Sequence, residues 1–250
     1  MGSSPMTISD FIKYDGSDYY EDQKVIHYLN EFATRSTLNT SKPIRKVLII
    51  TTPRTGSTWF IMELYSRGVC YPDEWYNHRK AKTIVDTYKI QSIEDYESFV
   101  MRRASNNNIF IAKIHAYQLQ RCRDNGFDPL KGSELIYYLD RRDLAEQAVS
   151  YAKSQDADRW DSFPLNSPIS IRRIKTAMDD LSQFKKDLES QNIQYNRTFY
   201  YEDMVQDGVE KYAKMICDDL GVSFPTHIME NREKKKTGKL EKHLASKARS

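Results

Sequence analysis

Residues 47–50, Val-Leu-Ile-Ile, form a short unbroken apolar run, the pattern of a strand covered on both faces of a parallel sheet. Three further strand candidates follow at Ile109–Ile114, Leu135–Leu139 and Thr198–Tyr201. Between and after them apolar residues recur at helical spacing, at about 57–67, 143–155, 168–190 and 209–220, and another helical stretch lies near 21–35. Strands that alternate with helices predict βαβ units. The expectation is an α/β domain of three layers (α/β/α), with a central parallel sheet and helices on both faces. The Ser/Thr/Asn-rich run from Ser36 to Ser41 reads as a loop. It divides the chain into an N-terminal extension, residues 1–45, helical or irregular and packed on the domain, and a domain over residues 46–250.

Composition narrows the class. With 39% hydrophobic and 29% charged residues among 250, the chain has enough apolar material for a core and too much for general disorder. No run approaches the roughly 18 apolar residues that a transmembrane helix needs. The start, Met1-Gly2-Ser3-Ser4-Pro5-Met6, shows no basic segment followed by an apolar one, so no secretory signal is expected. Cys70, Cys122 and Cys217 lie far apart and in no CxxC pair, which argues against a disulfide framework and against a zinc site and fits a reducing, cytoplasmic setting. The net charge of +3 hides a basic tail: residues 231–250 carry eight Lys/Arg against two Glu. Because that charge is confined to the tail, without a stripe of interleaved basic and aromatic residues, nucleic acid is not the expected partner.

The most informative segment is Ile50-Thr51-Thr52-Pro53-Arg54-Thr55-Gly56-Ser57-Thr58-Trp59. An apolar strand ends, Pro53 blocks its continuation, Gly56 permits a tight turn, and Ser57 and Thr58 suit the start of a helix. Free amides at a helix start, with the positive end of its dipole, bind anions. Arg54 adds a permanent charge and a planar donor fork matched to phosphate or sulfate oxygens. The pattern GxxxxGK[ST] is missing, because Ser57 stands where its Lys belongs. An ATPase or GTPase reading loses most of its support.

A second anchor is Leu135-Ile136-Tyr137-Tyr138-Leu139-Asp140-Arg141-Arg142-Asp143, running on through Leu144 to Ser150. It reads as a strand, an Arg pair at its end, and a helix capped by Asp143 with Glu146 three residues on. Ser150 falls about two turns down that helix from Arg142. An Arg at a strand end and a hydroxyl on the next helix can converge on one phosphate.

These two segments together resemble the cofactor motifs of sulfotransferases that use 3′-phosphoadenosine 5′-phosphosulfate (PAPS). The loop is similar to that family's 5′-phosphosulfate loop, with Arg54 in place of the usual Lys, as in the bacterial trehalose 2-sulfotransferase type. The resemblance implies that Arg54, Thr55, Gly56, Ser57 and Thr58 hold the phosphosulfate, with Arg54 also serving catalysis, and that Trp59 packs on adenine. It further implies that Arg142 and Ser150 bind the 3′-phosphate. Tyr201, in Tyr200-Tyr201-Glu202-Asp203, matches the position of a Tyr that contacts adenine. Lys236 and Gly238, in the basic tail, are looser candidates for a C-terminal 3′-phosphate clamp. The likeness covers about residues 46–240.

Sulfuryl transfer needs positioning, charge stabilisation and a base for the acceptor hydroxyl. Two residues qualify by resemblance. Glu74, in Pro72-Asp73-Glu74-Trp75-Tyr76, looks like the base segment of the trehalose type. His115, in Lys113-Ile114-His115 at a strand end, looks like the base motif of the cytosolic enzymes. Glu74 is the preferred base, with His115 orienting the acceptor or sharing the proton. The implied partner is a hydroxyl on a small molecule, carbohydrate or another metabolite, with Tyr76, Tyr117, Trp160 and Phe163 available to stack. The product would be adenosine 3′,5′-bisphosphate. No metal is expected, and a homodimer is left open. Two alternatives stand beside this reading: a P-loop nucleotide or sugar kinase, and a non-catalytic protein that binds adenosine bisphosphate.

Overall fold

The structure, a computed structural model, describes residues 7–13, 22–156 and 169–226. Four strands form one sheet: β1 (Arg45–Thr51), β2 (Ile109–His115), β3 (Leu135–Asp140) and β4 (Arg197–Tyr200). Their order is β2-β1-β3-β4 and every pairing is parallel. β1 and β2 are buried along almost their whole length, as the unbroken apolar runs predict. The register sets Thr51 beside both His115 and Leu139, and Asp140 beside Tyr200. The four strands therefore end together, along the edge where ligands of open parallel sheets bind.

The helices in chain order are α1 (Ile8–Ile12), α2 (Asp22–Arg35), α3 (Ser57–Ser66), α4 (His78–Tyr88), α5 (Ile93–Ala104), α6 (Ala116–Asp124), α7 (Leu144–Asp156), α8 (Ile171–Ser190), α9 (Tyr201–Asp207) and α10 (Val209–Asp219). Alternation along the strands sends Leu48, Ile50, Phe110 and Ala112 to one core, shared with α1, α2, α4, α5 and α6. Val47, Ile49, Ile111, Tyr137 and Leu139 face the other core, shared with α3, α9 and α10. That is the three-layer α/β architecture the pattern predicts. A third, smaller cluster joins α7 to α8 through Ala148, Val149, Ile174, Ala177 and Leu181. From the stretch ahead of β1, Phe11, Val25 and Leu29 sit in the same core as Leu48 and Tyr96.

Two local outcomes differ from the sequence reading. The fourth strand stops at Tyr200, and Tyr201 opens α9 instead; Glu202 and Asp203 in the first turn favour a helix start there. Residues 78–124 also hold three helices that the apolar pattern does not announce. α4 and α5 are capped by Asn77 and Ser92, whose side chains accept from the amides of Arg79 and Asp95. Among the described residues no helix is long and apolar enough to cross a membrane.

Candidate active site

The loop after β1 is held by side chains beneath it. Thr51 Oγ1 lies 2.5 Å from Thr55 Oγ1 and donates to Leu139 O at 3.0 Å, tying the loop to β3. Gln147 of α7, fully buried, donates its amide to Thr52 Oγ1 at 2.9 Å and to Pro53 O at 2.6 Å. α7 thus passes over the C-terminal end of β1. Arg54 and Gly56 both adopt positive φ, 66° and 80°. Gly56 is the N-cap of α3 and offers no capping side chain, so the first amides of α3 are available to an external acceptor.

Gly56 is required for a second reason. A Cβ built there would lie 2.5 Å from Cδ2 of Tyr201. The Tyr201 ring therefore covers the turn at van der Waals range. Beneath that ring the guanidinium of Arg141 sits 4.5 Å from its centroid, buried and paired to Glu146 at 2.9 Å. Trp59 is partly buried against the same apolar cluster as Tyr201. Both aromatics expected at the adenine thus flank the loop on one face of the sheet.

Arg54 Nε donates to Ser150 Oγ of α7 at 3.0 Å. This brings together one residue expected at the 5′ end of the donor and one expected at the 3′ end. Arg142, expected to share an anion with Ser150, instead forks onto Asp203 at 2.5 and 2.8 Å and lies 3.8 Å from the Tyr200 ring centroid. The amides of Arg142 and Asp143 donate to Glu202, each at 3.1 Å. The Tyr-Glu-Asp segment therefore clips β4 and α9 to the start of α7.

The two candidate bases, 41 residues apart in sequence, meet in space: His115 Nε2 is 3.3 Å from Glu74 Oε1. The main chain explains this. Asp73 forms a parallel bridge to Ala112, with Lys113 N–H donating to Asp73 O at 3.0 Å. The segment carrying Glu74 is thereby strapped along the free edge of β2. Asp73 also caps the Glu74 amide at 2.7 Å and pairs with Lys80 of α4.

Lys113 is a residue of the candidate site for which the sequence reading proposes no role. It lies inside β2, whose other residues are apolar up to the terminal His115, is 3% exposed, and places its Nζ 2.7 Å from Glu74 Oε1. The same ammonium donates to Thr58 Oγ1 of the anion loop at 3.4 Å. A lysine inside a buried strand is itself the signal, since such a charge is rarely buried unpaired. Burial alone would raise the pKa of Glu74. The Lys113 ammonium, then the His115 ring and Lys80, outweigh it and hold the carboxyl well below the ordinary carboxylate range. Glu74 is therefore an anion, and Lys113 joins it to Thr58 of the loop after β1.

Of the aromatics expected to stack on an acceptor, Tyr76 is buried and donates to Glu97, remote from the anion loop. Tyr117 is 40% exposed and stacks on His115 with ring centroids 5.6 Å apart and planes at 7°. Beyond Tyr117 a cavity of about 250 Å³ opens between α6 and α8, lined by Ala116, Gln120, Arg121 and Phe184 among others. Trp160, Phe163, Lys236 and Gly238 lie outside the described residues.

The arrangement is a strand–turn–helix junction at the C-terminal end of the sheet, with a carboxylate–imidazole pair bridged to it by a lysine. No family model and no curated protein sequence matches the chain. Among the solved structures similar to it are two sulfotransferase domains. One is the sulfotransferase domain from the curacin biosynthetic pathway, 16% identical, covering 82% of this chain and 83% of that one at a TM-score of 0.48. The other is the sulfotransferase domain from the Synechococcus PCC 7002 olefin synthase, 13% identical, covering 86% of this chain and 98% of that one at a TM-score of 0.44.

Proposed function

We propose that this chain transfers a sulfuryl group from PAPS to the hydroxyl of a small molecule, a carbohydrate or another metabolite. One observation carries the reading: Lys113 connects the carboxylate–imidazole pair directly to the anion loop, at 2.7 Å on one side and 3.4 Å on the other. A site that only bound an anion would have no use for a proton acceptor at that point. The donor set suits PAPS. The amides of α3 and Arg54 offer contacts to the phosphosulfate, Trp59 and Tyr201 offer faces to the adenine, and Ser150 and Arg142 offer contacts to a 3′-phosphate.

In the reaction the acceptor oxygen forms a bond to sulfur as the bond from sulfur to the 5′-phosphate oxygen breaks. The bonding electrons leave with adenosine 3′,5′-bisphosphate. The acceptor's proton passes to the Glu74–His115 pair. Arg54, Lys113 and the α3 amides stabilise the charge that builds on the leaving phosphate, in a setting where fixed donors act strongly.

The test is a thermal-shift comparison of adenosine 3′,5′-bisphosphate with AMP, ATP and GTP. Saturation at 100 times Kd stabilises a native state by about 2.7 kcal/mol. The bisphosphate should therefore raise the melting temperature by several degrees, and the others by much less. An equal shift with ATP would overturn the donor assignment.

A further inference from the structure

We propose that Gln147 is a positioning residue for the 5′ end of the donor: it holds the peptide between Pro53 and Arg54 so that its N–H, rather than its C=O, faces the phosphosulfate. The proposal rests on the transfer reading above. Gln147 is fully buried in α7. Pro53 O can only accept, so the side-chain group 2.6 Å from it must be the NH₂ end. The same nitrogen donates to Thr52 Oγ1 at 2.9 Å. Gln147 Oε1 is buried and has no hydrogen-bond partner among the described residues, a cost that an apolar side chain would avoid. What the loop gains from Gln147 is therefore its two donors.

The turn shows what the bond to Pro53 O holds in place. The chain reverses at Pro53 and Arg54. The proline ring keeps the φ of Pro53 negative, and Arg54 has φ 66°. Negative followed by positive φ at the two central residues is a type II turn, whereas the commoner type I is negative at both. The two forms differ by a flip of the peptide between those residues. Type II favours glycine in the second central place, and Arg54 stands there without glycine's freedom. Left to itself, the turn would relax toward type I. A flip would take Pro53 O off its buried donor, so Gln147 opposes it. The peptide is trans, and its C=O and N–H point in opposite directions. With the carbonyl drawn onto Gln147, the Arg54 N–H faces the outer side of the loop, where Arg54 and Gly56 are partly exposed and Thr58 is exposed. In the flipped form a carbonyl oxygen would stand there and repel the oxygens of the anion.

Calorimetry on the full chain separates this role from general support of the fold. The ratio of Kd for adenosine 3′-phosphate to Kd for adenosine 3′,5′-bisphosphate measures what the 5′-phosphate adds. Gln147→Met is similar in size and has neither donor. It should cut that ratio about tenfold, the loss of one charge-assisted hydrogen bond. Adenosine 3′-phosphate itself should bind within about twofold of the parent. Thr52→Val removes only the other acceptor and should also keep the ratio within about twofold. Crystal structures without ligand should show positive φ at Arg54 in the parent and negative φ in Gln147→Met.

A ratio unchanged in Gln147→Met, an equal loss for both nucleotides, the same loss in Thr52→Val, or a positive φ at Arg54 that survives the substitution would overturn the proposal. Gln147→Asn draws the amide back by one methylene, out of reach of Pro53 O, and gives the same readouts if the Met variant does not fold. A parent that binds neither nucleotide overturns the transfer reading instead, and the φ comparison still decides whether Gln147 holds the turn.

Discussion

Substituting Gly56 by Ala strikes the candidate site at its narrowest point. Two costs add. At φ 80° a residue with a Cβ pays roughly 1–2 kcal/mol for the left-handed conformation. The new methyl would also lie 2.5 Å from the Tyr201 ring, where ordinary contact begins at 3.4 Å. The ring must yield by nearly an ångström, an overpacking cost of ~1–3 kcal/mol. For a domain of this size a total near 3 kcal/mol lowers the melting temperature by roughly 6–12 °C. Displacing Tyr201 and distorting the α3 amides should also weaken adenosine 3′,5′-bisphosphate by one to two orders of magnitude, about 1.4 kcal/mol for each. The two costs separate in a double-mutant cycle with Tyr201→Ala, read by chemical denaturation and titration calorimetry. Without the ring only the backbone cost remains, so the variants should couple by about 1–3 kcal/mol. If Gly56→Ala costs the same with and without the Tyr201 ring, the close approach plays no part and the reasoning fails.

Further outcomes follow from the other anchors. Arg142→Ala should weaken PAPS by about 2–3 kcal/mol through loss of a charge-assisted contact, and Ser150→Ala by about 1 kcal/mol for a neutral hydroxyl; calorimetry in which both bind like the parent would remove the 3′-phosphate assignment. Glu74 has a depressed folded-state pKa, so the stability it supplies is complete above its unfolded value near ~4.3 and is lost as pH falls below that toward the folded value. Urea melts at pH 7, 4 and 3 should therefore show the parent losing stability faster than Glu74→Gln below about pH 4. The variant should be weaker at pH 7 by roughly 3–5 kcal/mol, because it breaks the buried Lys113–Glu74 ion pair on one side. Parallel pH curves for the two proteins would contradict the assignment.

The strands were legible in the sequence because a sheet covered on both faces writes itself as apolar runs. Val47–Ile50 and Ile109–Ile114 needed no knowledge of their neighbours. The strand–turn–helix junction after β1 was legible because Pro53, Gly56 and Ser57 each act locally. α4 and α5 were not, because their buried faces are narrow: Ala81, Ile84 and Val85 in one, Ile93, Tyr96 and Val100 in the other. Their caps, Asn77 and Ser92, and the Glu94/Asp95 to Arg102/Arg103 gradient of α5 were the better signals. The pairing of Glu74 with His115 had no local trace, because it depends on Asp73 lying along the edge of β2. Reading the two as rival bases was all that sequence spacing allowed. Likewise, nothing near Arg54 announces that it reaches Ser150.

The register of the sheet also bears on how the protein folds. Arg45 pairs with Ile109, Val47 with Leu135 and Tyr137 with Arg197, so no strand can find its partner through a tight turn. Chains dominated by such distant pairings close large loops before contacts repay the lost entropy, and they acquire structure slowly. The helices can flicker into place early, whereas the bottom of the anion loop needs Leu139 of β3 and Gln147 of α7 beneath β1. The geometry of that loop is thus expected to be set late, after β3 and α7 have docked against β1.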